Sequence, residues 1–185
     1  MKKNIKYSIF IGFWAIAIFL IQSCNESSIS PTPTDENESI TTLKVELKDT
    51  ISGSLYSYFF RDPDGEGGNS PIQWDTIKLD SQKVYKATLK ILNESNPNSI
   101  IDVSNEIKAE ATSHIICYTP ANTGIAVTRT DNDGTYSLGI ESLWKTTGKS
   151  NGTLNIKLKH QTGLKNGSCD PGKTEIDVNF LLIID

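Results

Sequence analysis

The sequence predicts an all-β fold, an antiparallel β-sandwich of about eight strands with one short helix, immunoglobulin-like or jelly-roll in topology. Three observations predict it. Apolar and polar residues alternate with period two over four long stretches, as half-buried strands require. Turn-forming clusters separate those stretches at short intervals, and only one segment carries apolar residues at helical spacing.

The elements follow in chain order. In "LKVEL", Leu43, Val45 and Leu47 point one way and Lys44 and Glu46 the other. The stretch "YKATLKI" sets Tyr85, Ala87, Leu89 and Ile91 against Lys86, Thr88 and Lys90. "LNIKLKH" places Leu154, Ile156, Leu158 and His160 on one face, and "IDVNFLLI" does the same with Ile176, Val178, Phe180 and Leu182. Between them, "RDPDGEGG", "LDSQK", "NESNPNS", "DNDG", "TTGKSNG" and "NGSCDPG" mark the turns. In "SIIDVSNEIKAEATSH", Ile100, Val103, Ile107 and Ala111 recur at helical spacing, which predicts a short helix over one end of the sandwich.

The body spans residues 40–185. Ahead of it, "MKKNIK" supplies a basic start and residues 9–21 an apolar run of 13, short for a bilayer span. This run ends at "IQSC", which resembles the lipobox of bacterial lipoproteins. The resemblance implies a signal peptide over 1–23 and an acylated Cys24 as the first mature residue, anchored by its acyl chains. Residues 24–39 then read as the lipidated cysteine and a polar, proline-bearing stalk.

Loss of Lys2, Lys3 and Lys6 with the signal takes the formal charge from −4 to −7. That balance argues against nucleic acid, whose binding rests on Lys and Arg at phosphates. Besides the anchor the chain has Cys117 and Cys169, and in an exported protein such a pair predicts a disulfide. Closing a loop of this length stabilises the fold by roughly 3–4 kcal/mol on the chain-entropy model.

Several motifs carry candidate chemistry. Asp62, Asp64 and Glu66 stand at alternate positions before Gly67, like the opening of a calcium loop, but the twelfth position is Gln73 and the nearest acid Asp75. The alternative is a plain acidic turn between strands; a phosphate cradle is disfavoured by the three acids. "DNDG", with Asp131 and Asp133, reads as a hairpin turn. His114, Cys117, His160 and Cys169 would suit a tetrahedral zinc site if both thiols were free. With the thiols oxidised, zinc or copper would need His114 and His160 plus an outside acid such as Glu110. Tyr56, Tyr58 and Phe60 share a strand face, and with Trp74 and Trp144 they form either core or an exposed platform. The triplet "DTI" at 49–51 and 75–77 resembles the O-glycosylation acceptor of exported Bacteroidota proteins, which points to Thr50 and Thr76. With two histidines and no G-x-S-x-G motif, no catalytic residue is assigned and the chain reads as a non-enzyme.

Taken together, "FFRDPDGEGG", "DTIKL", "YKATLKILNES", "TRTDNDGTY" and "LKHQTGLKNGSCDPG" resemble a group of small Bacteroidota envelope lipoproteins. These are often labelled as type 1 periplasmic binding fold proteins and often occur beside TonB-dependent receptors. The resemblance spans roughly Lys44 to Ile184 and implies an outer-membrane location and a TonB-dependent receptor as partner. It carries no catalytic residue. The expected function is therefore a lipid-anchored, non-enzymatic binding or accessory module without a required cofactor. The alternatives are a metal-binding lipoprotein, with calcium in the acidic loop or zinc or copper at the histidines, and a glycan-binding or glycan-active surface protein.

Overall fold

The computed structural model describes residues 39–65 and 67–185, which fall within one compact unit, Glu36–Asp185. Cys24, the signal segment, the stalk up to residue 38 and Glu66 lie outside the described residues.

Among the described residues, eleven strands form two sheets. The first contains β1 (Thr42–Asp49), β2 (Leu55–Arg61), β3 (Gln73–Trp74), β5 (Val84–Asn93), β8 (Ile125–Arg129) and β9 (Glu141–Thr146), in the order β3-β2-β1-β5-β9-β8. A seventh, β6 (Ile101–Asp102), pairs with β5. The second sheet orders β4 (Ile77–Leu79), β11 (Lys173–Ile184), β10 (Ser150–His160) and β7 (His114–Ala121) as β4-β11-β10-β7. Every pairing is antiparallel except β4 with β11. An all-β sandwich is thus the architecture, as the alternation predicts.

The core is made by the predicted inward faces. Leu43, Val45 and Leu47 of β1 and Tyr85, Ala87, Leu89 and Ile91 of β5 are buried from one sheet, Leu154, Ile156 and Leu158 of β10 and Val178, Phe180 and Leu182 of β11 from the other. Burial of a large aliphatic side chain is worth about 1.5–3 kcal/mol, so these faces supply most of the drive to close the sandwich. Trp144 is fully buried in β9; its indole N–H donates to Ser142 Oγ (2.9 Å), and Tyr118 meets it edge to face. Tyr56, Tyr58 and Phe60 are half-buried against this core, whereas Trp74, edge to face with Phe60, is 54% exposed. The aromatics therefore divide: most are core, and Trp74 stands at the surface.

The structure refines two of these expectations. Eight strands have five or more residues, but β3, β4 and β6 bring the total to eleven. Runs of two or three residues are too short to show a period. The helix α1 is also shorter than the spacing predicts, covering only Ser104–Ala109, with a 3-10 turn at Ala111–Ser113. Val103 and Ile107 are buried, but Ile100 is 57% exposed. Asp102 stops the helix from starting earlier: its carboxylate accepts from the Ser104 N–H (3.0 Å) and pairs with Lys90 (2.9 Å), fixing 101–102 as a strand on β5. Ser104 then locks the helix to β5, its Oγ accepting from the Ile91 N–H (2.7 Å).

Cys117 and Cys169 form the predicted disulfide, 52 residues apart in sequence with Cα atoms 6.0 Å apart. It clips the loop 161–172 onto β7. Replacing both cysteines by alanine should cost about 4 kcal/mol by the loop-closure estimate, measured by urea unfolding against the oxidised protein.

Candidate functional site

The notable polar cluster lies where β7, β10 and β11 meet. The register of β10 on β7 sets His160 directly opposite His114. Cross-strand partners bring their side chains together on one face, and the two imidazoles stack with centroids 4.5 Å apart and planes 24° apart. His114 is fully buried at the start of β7, while His160 keeps 17% side-chain exposure at the end of β10.

The third member comes from a break in the ladder. Leu158 of β10 faces Ile176 of β11 but Lys159 faces Thr174, so Glu175 is an extra residue on β11, a β-bulge. Simple alternation would send Glu175 outward, opposite to Ile176. The bulge instead turns it inward, and its side chain is only 1% exposed. Glu175 Oε1 lies 3.1 Å from His160 Nδ1, and Oε2 lies 3.7 Å from His114 Nε2. Thr162 Oγ1 holds the other nitrogen of His160 at 2.6 Å. Gly172, just before β11, lets the chain pass close by: at φ 83° it packs so tightly on His160 that a Cβ would sit 2.0 Å from the His160 carbonyl oxygen.

His114 Nδ1 lies 3.1 Å from the main-chain carbonyl oxygen of Glu110. A carbonyl only accepts, so this contact places the proton on Nδ1 and leaves a lone pair on Nε2. Burial lowers the His114 pKa and the nearby His160 adds to that, while the Glu110 carbonyl opposes it. One ligand atom from each of Glu110, His114 and His160 lies within 4.8 Å of the others.

The loop over this cluster is tied down at three points. Besides the disulfide, Lys165 Nζ pairs with Asp133 (2.7 Å) and donates to the Ala111 carbonyl (2.7 Å), and Gln161 Nε2 donates to Ser168 and Pro171 carbonyls at 2.9 Å each. Lys165 and Asp133 are both nearly buried. "DNDG" is thus a turn, as expected, and also an anchor for the loop: the Asp133 carboxylate accepts from the Thr135 and Tyr136 N–H groups as well.

The remaining predicted residues lie apart from one another. Asp62 and Asp64 sit in the β2–β3 connection, where Gly65 and Gly67 adopt positive φ and the Gly65 N–H closes a turn on the Asp62 carbonyl. Asp64 accepts from the Asn69 N–H (2.8 Å) and Nδ2 (2.6 Å), which lowers its pKa; burial, with Asp64 beside it, raises that of Asp62. Asp75 caps the edge of β2 by accepting from the Phe59 N–H (2.8 Å). Thr50 is exposed in the β1–β2 hairpin, with its hydroxyl on the Val84 carbonyl (2.9 Å), and Thr76 is half-buried. The disulfide removes both thiols from any four-ligand His/Cys zinc set, so that arrangement does not form. Glu175 is the residue that period reading misses, since nothing in "KTEIDV" announces a bulge.

No family model, curated protein or solved structure matches this chain.

Hydrogen bonding to Lys165, then to the two N–H groups, holds the Asp133 pKa down to about 2. A folded-state pKa below the unfolded value of about 4 gives stability that is present above pH 4 and lost as pH falls through about 2. Asp133→Asn should therefore lower Tm at pH 7, and the gap from wild type should close between about pH 4 and 2 in thermal melts across pH.

Proposed function

We propose that the chain is an outer-membrane lipoprotein, held by acyl chains on Cys24, that acts as a non-enzymatic accessory module by taking a partner's extended segment onto the free edge of β2. The observation that carries this reading is the half-covered state of that edge. β3 pairs only with Phe60 and Arg61, and Asp75 occupies Phe59 on the same side. Backbone groups alternate in direction along an antiparallel strand, so Ser57 and Leu55 turn their N–H and C=O groups to that side too. No described strand pairs with them there.

Exposed apolar side chains flank both ends of the edge. Ile51 and Leu55 are 81% and 77% exposed at the hairpin, Ile72 and Trp74 73% and 54% exposed at the other end. Strand addition draws affinity from main-chain hydrogen bonds and specificity from such flanking side chains. The hairpin is held ready: Asp49 accepts from the Ile51 N–H (2.8 Å) and Ser52 N–H (3.2 Å) and pairs with Lys83 (3.2 Å). A disulfide in the body fits an oxidising compartment outside the cytosol. The resemblance to envelope lipoproteins points to a TonB-dependent receptor as the partner.

Two measurements test this. Cys24→Ala should move the protein from the membrane to the soluble fraction. Photo-crosslinking from position 55 in native membranes should trap one outer-membrane protein, and Ser57→Pro, which removes an edge N–H, should abolish the adduct without changing Tm by more than a few degrees. Crosslinks absent in wild type, or unchanged by the proline, would overturn the strand-addition reading.

A further inference from the structure

The outer face of the first sheet gathers positive charge toward one end. Leu47 of β1 and Tyr85 of β5 are buried, so alternation puts Lys48 and Lys86 on the solvent side, and the register sets these two lysines directly opposite each other. Lys86 in turn faces Leu143, two residues before Lys145 on β9, so Lys145 shares the face. All three lysines are exposed. Like charges opposed across a ladder repel. Among the described residues none of the three makes an ion pair. The acids nearby, Glu46, Asp102 and Glu141, are taken by Lys44 (2.6 Å), Lys90 (2.9 Å) and Lys108 (3.2 Å). Asp80 and Asp185, exposed at the same end, follow β4 and β11 and so belong to the second sheet.

Apolar side chains stand beside this charge. Leu55, opposite Lys48 in the ladder, is 77% exposed, and Ile51, in the hairpin between β1 and β2, is 81% exposed. The Thr50 N–H and hydroxyl both bond the Val84 carbonyl (3.0 and 2.9 Å), which fixes the hairpin next to the start of β5. There a groove of about 390 Å³ opens to solvent, with Lys83, Val84, Lys145 and Thr147 in its lining. Cations around exposed aliphatic side chains match a lipid–water interface with anionic headgroups, which attracts lysine and admits isoleucine and leucine to the acyl boundary. A soluble acidic partner would answer the lysines and leave Ile51 in water.

We propose that this end of the first sheet rests on anionic phospholipid headgroups, with Lys48, Lys86 and Lys145 on the phosphates, a headgroup in the groove, and Ile51 and Leu55 at the acyl boundary. The contact presupposes the lipid-anchored reading of Cys24. Residues 24–39 reach at most about 55 Å when extended, and the eight residues of β1 cover about 26 Å from Thr42 to the hairpin, so the hairpin end lies within reach of the membrane. Edge hydrogen-bonding groups lie in the plane of the sheet, so a face resting on lipid leaves the β2 edge open to the partner's strand.

The test uses the mature, acylated full chain in vesicles, with an environment-sensitive fluorescent amino acid at position 51. With phosphatidylglycerol at about one lipid in three and phosphatidylcholine as the remainder, emission should shift to the blue and be quenched by a headgroup nitroxide. The shift should be absent on pure phosphatidylcholine and should disappear at about 1 M salt. The triple variant Lys48→Gln/Lys86→Gln/Lys145→Gln should lose it, since at roughly fivefold per lysine the attraction falls about a hundredfold. Lys157→Gln/Lys159→Gln, on the outer face of the second sheet, should keep it. Flotation on pure phosphatidylcholine reads the acyl anchor apart from the face. A chain that fails to float there refutes the anchor, and its binding to anionic vesicles, expected at least about tenfold stronger than to neutral ones, still decides the docking. Equal emission on both lipids, a shift that survives the triple variant, or a shift lost in Lys157→Gln/Lys159→Gln would overturn the proposal. So would the same shift with soluble polyglutamate and no lipid, which would assign the lysines to an acidic protein partner.

Discussion

Everything in this protein depends on strands with one dry face and one wet face. Period-two alternation in β1, β5, β10 and β11 produces two sheets whose only way to hide their apolar sides is against each other. The interior holds Trp144, Tyr85 and Phe180 with aliphatic chains around them, and their few polar atoms are answered locally: the Trp144 indole by Ser142 Oγ, the Tyr85 hydroxyl by the Asp80 N–H. A uniform core of this kind fixes the positions of the strand ends, which is where the chemistry sits.

The histidine cluster exists because that rule is broken once. Without the bulge, Glu175 would face solvent and His114 would be a buried ring with one idle nitrogen. The extra residue costs a ladder pairing and brings a carboxylate into a dry region, both unfavourable by themselves. Nearby groups offset this: His160 on the carboxylate, Thr162 on His160, and a glycine where any side chain would collide with the His160 backbone.

The long strands and the disulfide were legible because their signals are local or covalent: alternation over five or more residues, and two thiols in a chain whose sequence reads as exported. The short strands were not, since Gln73–Trp74 and Ile101–Asp102 hold their places through neighbours in space. Helical spacing at Ile100 misled because Asp102 engages Ser104 and Lys90, tertiary contacts that no local pattern encodes. The candidate site was half visible. The two histidines stood out by rarity and Glu110 by its place in the chain, but their facing partner required knowing that β11 slips its register beside Lys159. The exposure of Trp74 likewise follows from its place on an edge strand, which composition cannot reveal.

The bridge between Cys117 and Cys169 joins segments that are far apart along the chain and adjacent only once β10 has folded back against β7. Its two sulfurs stand in bonding reach where β10 lies against β7. The bridge thus reports on the second layer: a chain with β10 out of place would leave its two thiols apart and unpaired.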